Sequence, residues 1–375
     1  MALLHKSERT KPFRPRPGAP ASALGSPLRP RQVAKSSPCQ EACLAGSDVR
    51  GALALLNQRE KLGLGQEQAC ERAWRLIVET NPFPATTGRI CPHRCEQSCN
   101  RQPKDGGVAV GMIERFLGDF ALARGLPLPG VPERPVHQER VAIIGAGPAG
   151  LSCAYHLARL GYASTILEGM PQPGGMLRYG VPAYRLPTRI LEDEIQRILD
   201  LGVELRTRTT VGRDVTLDEL RQEFAAVFVA PGAAKSRDVD IPGTGGVGVF
   251  RAVEFLRDVA RGEPPAIGKY VVVVGGGNSA IDAARVCARL SGGTGVITLL
   301  RQENQVIDDD LRDAMEEGVE VELMTTLNSV VRDVMGAVDS AVVQRVELGE
   351  RDRNGFPTLI PVARKSYELR ADTII

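Results

Sequence analysis

Two stretches of this chain, V141-A-I-I-G-A-G-P-A-G150 and V271-V-V-V-G-G-G-N-S-A280, share a pattern of four apolar residues followed by a glycine-rich loop. Each pattern predicts a buried strand that turns directly into the start of a helix. In the first stretch Gly145 permits the tight turn, Gly147 lets the backbone approach a pyrophosphate, and Gly150 lets the helix pack closely on the strand. The N–H groups and the positive end of the helix hold phosphates at such a loop. The two copies therefore predict two dinucleotide-binding units.

The residues after each loop extend this prediction. Positions 151–160 are apolar at helical spacing, and the next strand, 163–168, ends at Glu168, where the ribose hydroxyls of a dinucleotide lie. After the second loop the strand 296–301 ends instead at Arg301, and a cation at this place can accept the 2′-phosphate of NADP. The alternative for either copy is a structural α/β unit without a nucleotide. A tandem pair of such units usually passes hydride between a nicotinamide and a flavin.

The composition bounds the function without identifying it. The chain has 375 residues, 43% of them hydrophobic, so two or three domains with apolar cores are expected. The formal net charge of +2 argues against nucleic acid as the main partner. No apolar run approaches the roughly 18 residues of a membrane span, and no signal peptide opens the chain. A cytoplasmic location is therefore expected.

Residues 1–35 differ from the rest of the chain. They contain eight Lys and Arg residues and one acidic residue, Glu8, with many prolines between them. A segment of this composition cannot bury enough apolar area to fold, so a disordered basic tail is predicted. An Arg-rich, acid-poor leader is also typical of an organelle-targeting segment, and this alternative stays open.

Five of the eight cysteines lie close together in the chain, as Cys39, Cys43, Cys91, Cys95 and Cys99. Disulfides are not expected in a cytosolic protein, whereas thiolates three residues apart can converge on an iron–sulfur cluster. Zinc, with His93 as an extra ligand, and unligated core cysteines are the alternatives. The chain has no C-x-x-C pair, so it lacks the redox dithiol that disulfide reductases use. An electron path from a nicotinamide through a flavin to a cluster is favoured instead.

Longer motifs carry a family resemblance. They are N81-P-F-P-A-T-T-G-R-I-C-P-H-R-C-E-Q-S-C-N-R101, G174-G-M-L-R-Y-G-V-P-A-Y-R-L-P187, V227-F-V-A-P-G-A233 and G275-G-G-N-S-A-I-D282. Over about residues 38–375 the chain resembles the small (beta) subunit of glutamate synthase. It is similar also to the flavin-containing front half of dihydropyrimidine dehydrogenase and to related NADPH–ferredoxin oxidoreductase subunits. The resemblance implies FAD, NAD(P)H and a 4Fe-4S cluster as cofactors, and a larger catalytic subunit or a ferredoxin-like protein as electron acceptor.

The resemblance also implies which residues bind each cofactor. For FAD they are Gly145, Gly147, Pro148, Ala149, Gly150, Glu168, Gly175, Met176, Arg185 and Val211. For NADP or NAD they are Gly275, Gly277, Asn278, Ser279, Ala280 and Arg301. For the cluster the preferred ligands are Cys43, Cys91, Cys95 and Glu114, and an all-cysteine set using Cys39 or Cys99 is the competitor. Hydride transfer needs no general acid or base, so no catalytic residue is predicted.

The sequence departs from the family pattern at three places. Residues 31–38 lack the C-x-x-C of the two-cluster members, so one cluster is expected. Gln302, rather than a second cation, follows Arg301, so only a modest preference for NADP over NAD is expected. Relatives continue past the strand that matches 371–375 into a segment that completes the FAD domain. We therefore expect an incomplete FAD domain, with well under one FAD per chain and an open sheet edge prone to association.

Together these observations predict an α/β fold of tandem nested Rossmann domains, for FAD and NAD(P), preceded by an α-helical iron–sulfur domain. The expected parts are the tail at 1–35, the iron–sulfur domain at 36–135, the FAD domain at 136–249 and the NAD(P) domain at 250–375. The expected function is electron input from NAD(P)H through FAD and one cluster to a partner subunit or acceptor. A self-contained NAD(P)H–ferredoxin or quinone reductase, and a non-enzymatic nucleotide-binding or regulatory paralogue, are the alternatives.

Overall fold

The computed structural model describes residues 36–130, 136–236, 240–302, 309–351, 353 and 357–375. The predicted basic tail lies outside the described residues. Residues Pro38–Ile375 form one compact unit. Within the described ranges, no helix combines the length and the apolar character that crossing a lipid bilayer requires.

The N-terminal part of this unit is helical. Its helices are α1 (Pro38–Ala42), α2 (Val49–Asn57), α3 (Gln66–Val78), α4 (Pro84–Ile90), α5 (Arg94–Gln97), α6 (Gln102–Asp105) and α7 (Val110–Ala123). Helices α4 and α7 pack with their backbones in close contact, because a Cβ atom at Gly88 would overlap the backbone of Arg115 and one at Gly118 would overlap that of Ala85. This contact holds the end of α4, and Cys91 immediately after it, against α7.

A four-stranded parallel sheet follows, which we call the first nucleotide unit. Its elements are β1 (Arg140–Ile144), α8 (Pro148–Arg159), β2 (Ala163–Leu167), α9 (Met176–Tyr179), α10 (Thr188–Leu199), β3 (Glu204–Arg206), α11 (Leu217–Glu223) and β4 (Ala226–Val229). The strand order is β3-β2-β1-β4. The order reverses at β1, so the loop after β1 lies at a switch point, where open parallel sheets bind their ligands.

The remaining elements form the second nucleotide unit. They are α12 (Ala252–Ala260), β5 (Tyr270–Val274), α13 (Asn278–Leu290), β6 (Val296–Arg301), α14 (Asp309–Glu316), β7 (Glu320–Leu323), β8 (Thr325–Arg332), β9 (Val338–Arg351), β10 (Pro357–Arg370) and β11 (Thr373–Ile374). A parallel sheet has the order β11-β5-β6-β7, and β8, β9 and β10 form a separate antiparallel sheet. The second glycine loop follows β5, again where the strand order reverses.

The predicted fold class is confirmed, since two parallel α/β sheets follow a helical segment. One hydrophobic core extends across the predicted boundary near residue 135. It joins Trp74 and Leu117 of the helical segment to Ile143, Leu151 and Ile166 of the first nucleotide unit. The second nucleotide unit has a core of its own. The helical segment and the first nucleotide unit are therefore packed as one body.

Side chains of the first nucleotide unit also bind the backbone of the helical segment. The Tyr155 hydroxyl donates to the carbonyl oxygen of Val78 at 2.7 Å. The buried Glu194 carboxylate accepts from the backbone N–H groups of Ala85 at 2.7 Å and Thr86 at 2.8 Å, at the start of α4. These contacts fix the helix that leads into the cysteine-rich segment.

Candidate active site: two nucleotide loops and a thiol-lined cavity

The first glycine loop has a geometry that requires glycine. Gly145 has a φ of +101°, and a Cβ atom there would overlap the carbonyl oxygen of Ala230. A Cβ atom at Gly150 would overlap the carbonyl oxygen of Gly145, so α8 can start close to the strand. Among the described residues, the only atom within 4 Å of the Cβ position of Gly147 is the Cα atom of Gly175, at 3.9 Å. The backbone of Gly147 therefore faces open space in which a phosphate group fits.

A cavity of about 530 Å³ opens at this loop, within the usual size range of cofactor sites. Seven of the predicted FAD residues line it: Gly145, Gly147, Pro148, Ala149, Glu168, Gly175 and Met176. The turn after β4, residues 228–234, closes one side, and α12 contributes Val253 and Arg257. Sequence reasoning missed Arg257, because α12 belongs to the second nucleotide unit and no local motif connects it to the first glycine loop.

Glu168 lies at the end of β2, where the ribose of a dinucleotide is expected. Its side chain is buried, and its two oxygens accept hydrogen bonds from the backbone N–H groups of Ala146 at 2.7 Å and Met170 at 2.8 Å. A carboxylate oxygen accepts more than one hydrogen bond. Glu168 can therefore hold the glycine loop in place and still accept hydrogen bonds from ribose hydroxyls.

Three predicted FAD residues do not line this cavity, and one of them, Gly150, instead packs α8 against the carbonyl oxygen of Gly145. Val211 packs with Leu220 in a separate hydrophobic cluster of the first nucleotide unit. Arg185 forms ion pairs with Asp282 of α13 at 2.9 Å and with Asp310 of α14 at 3.1 Å. The guanidinium of Arg185 is thus bound to the second nucleotide unit in this structure.

The second glycine loop is more open than the first. Gly275 makes the turn with a φ of +149°, and Ala280 is buried where α13 packs on the sheet. Gly277, Asn278 and Ser279 are exposed, and no atom of the described ranges lies within 4 Å of the Cβ position of Gly277. The start of α13 is therefore accessible to a pyrophosphate.

Arg301 ends the neighbouring strand β6. The backbone N–H of Gly275 donates to the carbonyl oxygen of Leu300 at 3.0 Å, which places Arg301 beside the second glycine loop. Its side chain is buried, and its Nε and Nη1 atoms have no hydrogen-bond partner in the described part of the chain, which does not include 303–308. A buried polar group without a partner is costly, and a phosphate bound here would supply one.

A second cavity, of about 240 Å³, lies in the helical segment and is lined by three thiols. Cys43 follows α1, Cys91 follows α4 and Cys95 lies in α5. Glu114 of α7 lines the same cavity and accepts a hydrogen bond from Asn81 at 2.7 Å. The structure thus brings together the four residues of the preferred ligand set. Three thiols and a carboxyl group suit an iron–sulfur cluster, whose usual ligands are thiolates.

Burial raises the pKa of three side chains that line this cavity. It raises the pKa of Cys95 to about 11, with a further contribution from the nearby Cys43, and it also raises the pKa of Cys91. Burial likewise raises the pKa of Glu114 to about 6, although hydrogen bonds from Asn81 and Thr87 act in the opposite direction. Cysteine binds metal as the thiolate, so cluster binding must release protons from this cavity.

The competing ligands Cys39 and Cys99 do not line the thiol cavity. Cys39 packs beside the buried Val49, and hydrogen bonds from the backbone at Val108 and Arg101 lower the pKa of Cys99. Among the residues that the structure describes, no three His, Cys, Asp or Glu side chains are arranged to hold a single metal ion.

Residues 139–369 match the family described as pyridine nucleotide-disulphide oxidoreductase, and residues 31–126 match dihydropyrimidine dehydrogenase domain II with its 4Fe-4S cluster. The chain belongs to the pyridine nucleotide-disulphide oxidoreductase family. These matches confirm the predicted resemblance and the predicted cofactors, FAD, NAD(P)H and a 4Fe-4S cluster. The two glycine loops lie within the first match and the thiol-lined cavity within the second.

The chain is 35% identical over 347 residues to the NADPH-Fe(3+) oxidoreductase subunit beta of Geobacter sulfurreducens, covering 91% of this chain and 50% of that protein. It is 33% identical over 332 residues to the glutamate synthase (NADPH) small chain of Azospirillum brasilense, covering 84% and 68%. The structure of Mycobacterium tuberculosis FprA in complex with NADPH aligns with a TM-score of 0.54 at 20% identity, covering 64% of this chain and 70% of that one. This last similarity concerns the fold. The chain spans about half the length of the Geobacter relative.

Proposed function

We propose that this chain is the electron-input part of an NAD(P)H-dependent oxidoreductase. The second glycine loop binds NAD(P)H, the first glycine loop binds FAD, and the thiol-lined cavity binds one 4Fe-4S cluster. The bound cofactors supply hydride transfer to the flavin and single-electron transfer from the flavin to the cluster. The remaining work of the protein is to bind, orient and shield these groups.

The observation that carries the proposal is that the thiol-lined cavity and the cavity at the first glycine loop belong to one packed body. Helix α4, which ends next to Cys91, is bound at its start by Glu194 of the first nucleotide unit. One hydrophobic core joins the same two parts. Electron transfer between two sites requires a fixed distance between them, and a shared core provides this. A metal site that only stabilises its own segment needs no fixed distance to the first glycine loop.

Each group of residues has a defined task in this function. The backbone N–H groups at the starts of α8 and α13 bind pyrophosphates. Glu168 accepts hydrogen bonds from the ribose of FAD, and Arg301 favours a nicotinamide cofactor with a 2′-phosphate. Cys43, Cys91, Cys95 and Glu114 are the proposed cluster ligands. No side chain has to act as a general acid or base for the hydride step.

The electron acceptor we propose is a larger catalytic subunit or a ferredoxin-like protein. Support comes from the relatives, which are named as a subunit beta and a small chain. We place this function in the cytoplasm, because cluster ligands must remain reduced thiols and all eight cysteines are free in the structure.

The proposal is tested by loading the 375-residue chain anaerobically with FAD, iron and sulfide. We expect about four irons per chain, and we expect the flavin that binds, at well under one FAD per chain, to lose its absorbance on addition of NADPH. Cys91→Ser should lose the iron, whereas Cys39→Ser should retain it. Stoichiometric zinc without iron, or flavin that NADPH does not reduce, would contradict the proposal. Loss of iron from Cys39→Ser would favour the all-cysteine ligand set.

A further inference from the structure

The loop between α9 and α10 extends from the first nucleotide unit and is bound by the second. Arg185 in this loop donates to both carboxylate oxygens of Asp282, at 3.0 and 2.9 Å, and to Asp310 at 3.1 Å. The side chain of Asp282 is 5% exposed and that of Arg185 is 16% exposed. Nη1 of Arg185 makes both contacts with Asp282 and Nη2 makes the contact with Asp310, so two carboxylates fix the direction of the planar guanidinium as well as its distance. The contact therefore sets how the two units face each other at this point.

Tyr184, the preceding residue, takes part in the same contact. Its ring packs against the core of the second nucleotide unit, and its hydroxyl donates to Asp282 at 3.3 Å. The guanidinium groups of Arg285 and Arg289 lie 4.7 and 3.7 Å from the centre of the ring. Glu317 binds both arginines and holds them there. We call the contact of Tyr184 and Arg185 with Asp282 the interlock.

The interlock joins the two nucleotide loops by a short path. Asp282 is the fifth residue of α13, which begins at Asn278, so it lies about 6 Å along the helix axis from the second glycine loop. On the other side, α9 begins at Met176, which lines the FAD cavity, and the loop that carries Arg185 follows α9. A displacement of the interlock would therefore change the relative position of the two nucleotide sites.

The chemistry of the pair favours a role in orientation over a role in stability. Removing two charges from water offsets most of their attraction, and apolar residues of similar size often replace a buried ion pair without loss of stability. A buried pair does discriminate between arrangements, because any shift leaves a buried charge without its partner. The Arg185–Asp282 pair is thus suited to select one orientation of the second nucleotide unit.

We propose that the interlock positions the nicotinamide site for hydride transfer to the flavin site, with Arg185 and Asp282 as positioning residues. This inference rests on the proposed function, because it states how the two nucleotide sites of that function are aligned. The reaction concerned is the transfer of one hydride, with both of its electrons, from NAD(P)H to FAD. The pair itself exchanges neither a proton nor an electron.

The test is a double variant, Arg185→Met with Asp282→Leu, which removes both buried charges of the pair and leaves only the partly exposed Asp310 without its arginine. We expect a melting temperature close to that of the wild type and unchanged affinities for FAD and NADPH. The rate of flavin bleaching by NADPH in a single turnover should fall at least tenfold. Asp282→Asn should have the same effect on the rate. Asp309→Asn is the matched control, because Asp309 is exposed and pairs only with Arg312 among the described residues.

Hydrogen–deuterium exchange of the chain without nucleotides gives a readout that does not depend on turnover. Exchange should rise in residues 180–187 and at the start of α13 in Asp282→Asn, and it should not rise in Asp309→Asn. A wild-type bleaching rate in the double variant would overturn the inference, as would loss of FAD, which would assign the pair to the flavin site itself. Failure of NADPH to reduce the flavin of the wild type would instead refute the proposed function.

Discussion

Arg301 is the residue that we expect to discriminate between the two nicotinamide cofactors. Its buried guanidinium has nitrogens without a partner in the described part of the chain, and a 2′-phosphate would bind them. A charged hydrogen bond contributes about 1.5–3 kcal/mol. Since Gln302 adds no second cation, we expect a preference for NADPH of about tenfold, which Arg301→Ala abolishes. The measurement is the ratio of kcat/KM for NADPH and NADH in flavin reduction.

Arg312→Ala serves as the control for Arg301, because Arg312 is an exposed arginine of α14 that pairs with Asp309. Its removal should leave the cofactor ratio unchanged. A large NADPH preference that persists in Arg301→Ala would show that another residue binds the phosphate.

Arg257 is expected to bind an anionic part of FAD. It lines the FAD cavity, and its Nε atom makes a 3.3 Å contact with Asp258. The side chain is 32% exposed, so we expect a contribution of about 1 kcal/mol and a roughly fivefold weaker affinity for FAD in Arg257→Ala. Quenching of flavin fluorescence measures this affinity. Arg261→Ala, immediately after the same helix, is the matched control, since Arg261 pairs with Glu263 and does not line the cavity. Equal effects of the two substitutions would contradict the prediction.

Among single residues, the sequence could predict those whose place in the structure depends on neighbours close along the chain. Gly145 is required by the turn between one strand and one helix, Gly147 leaves that turn open to a ligand, and Glu168 follows the next strand. Arg185 and Arg257 could not be assigned in the same way. The partners of Arg185 lie about a hundred residues further along the chain, so their contact depends on how two separate units pack.

Helix α4 depends on a carboxylate from another part of the fold. Burial raises the pKa of Glu194 to about 7, although hydrogen bonds from Thr86 and Ala85 act in the opposite direction. A raised pKa means that the folded state holds the proton more tightly than the unfolded state. The stabilisation of the folded state by Glu194 is therefore fully present below about pH 4.5, and it is lost as the pH rises through about 7.

Glu194→Gln removes this titration. We expect the difference in free energy of unfolding, wild type minus variant, to fall by about 3 kcal/mol between pH 4.5 and 8. Urea unfolding at several pH values measures the difference. Asp193→Asn, at the adjacent and partly exposed position of α10, is the control substitution. A difference for Glu194→Gln that does not vary with pH would contradict the assignment.

The elements around the two glycine loops could be predicted because strand and helix periodicity is local. The antiparallel sheet of β8, β9 and β10 could not be predicted in this way. Its pairing joins Thr325 to Arg345 and Arg370 to Ser340, and no short motif in the sequence specifies such a register. The contact of α4 with Glu194 was also missed, because a carboxylate on an amphipathic helix is usually solvated.

For the whole molecule, we expect the helical segment and the first nucleotide unit to unfold together. Cys70 of α3 and Cys153 of α8 lie in or against the core that they share, and Cys287 of α13 lies in the other core. Burial raises the pKa of all three thiols, to about 11 for Cys153 and about 12 for Cys287, so they react slowly in the folded state.

Pulsed alkylation in increasing urea, read by mass spectrometry, follows each of these thiols separately. Cys70 and Cys153 should become reactive at the same urea concentration. Cys287 serves as the independent probe of the second nucleotide unit. Reaction of Cys153 at a urea concentration that leaves Cys70 protected would show that the two parts unfold separately.

The order of the parts along the chain was predictable from the sequence, because each part has its own motif. Their packing was not, since the core shared by Trp74 and Ile143 arises from apolar residues that any globular domain would bury. The interlock was missed for a related reason: a tyrosine and an arginine in a loop carry no signal of the helix that binds them.

The hydrogen bonds between the first nucleotide unit and the helical segment have a consequence for evolution and for engineering. Tyr155 and Glu194 both bind main-chain atoms, at Val78 and at the start of α4. Main-chain atoms are the same whatever side chain a position carries, so mutations in the helical segment can accumulate there without removing a partner. Chimeras built across this joint should therefore keep these hydrogen bonds, provided that they also retain the apolar core around Trp74 and Leu117.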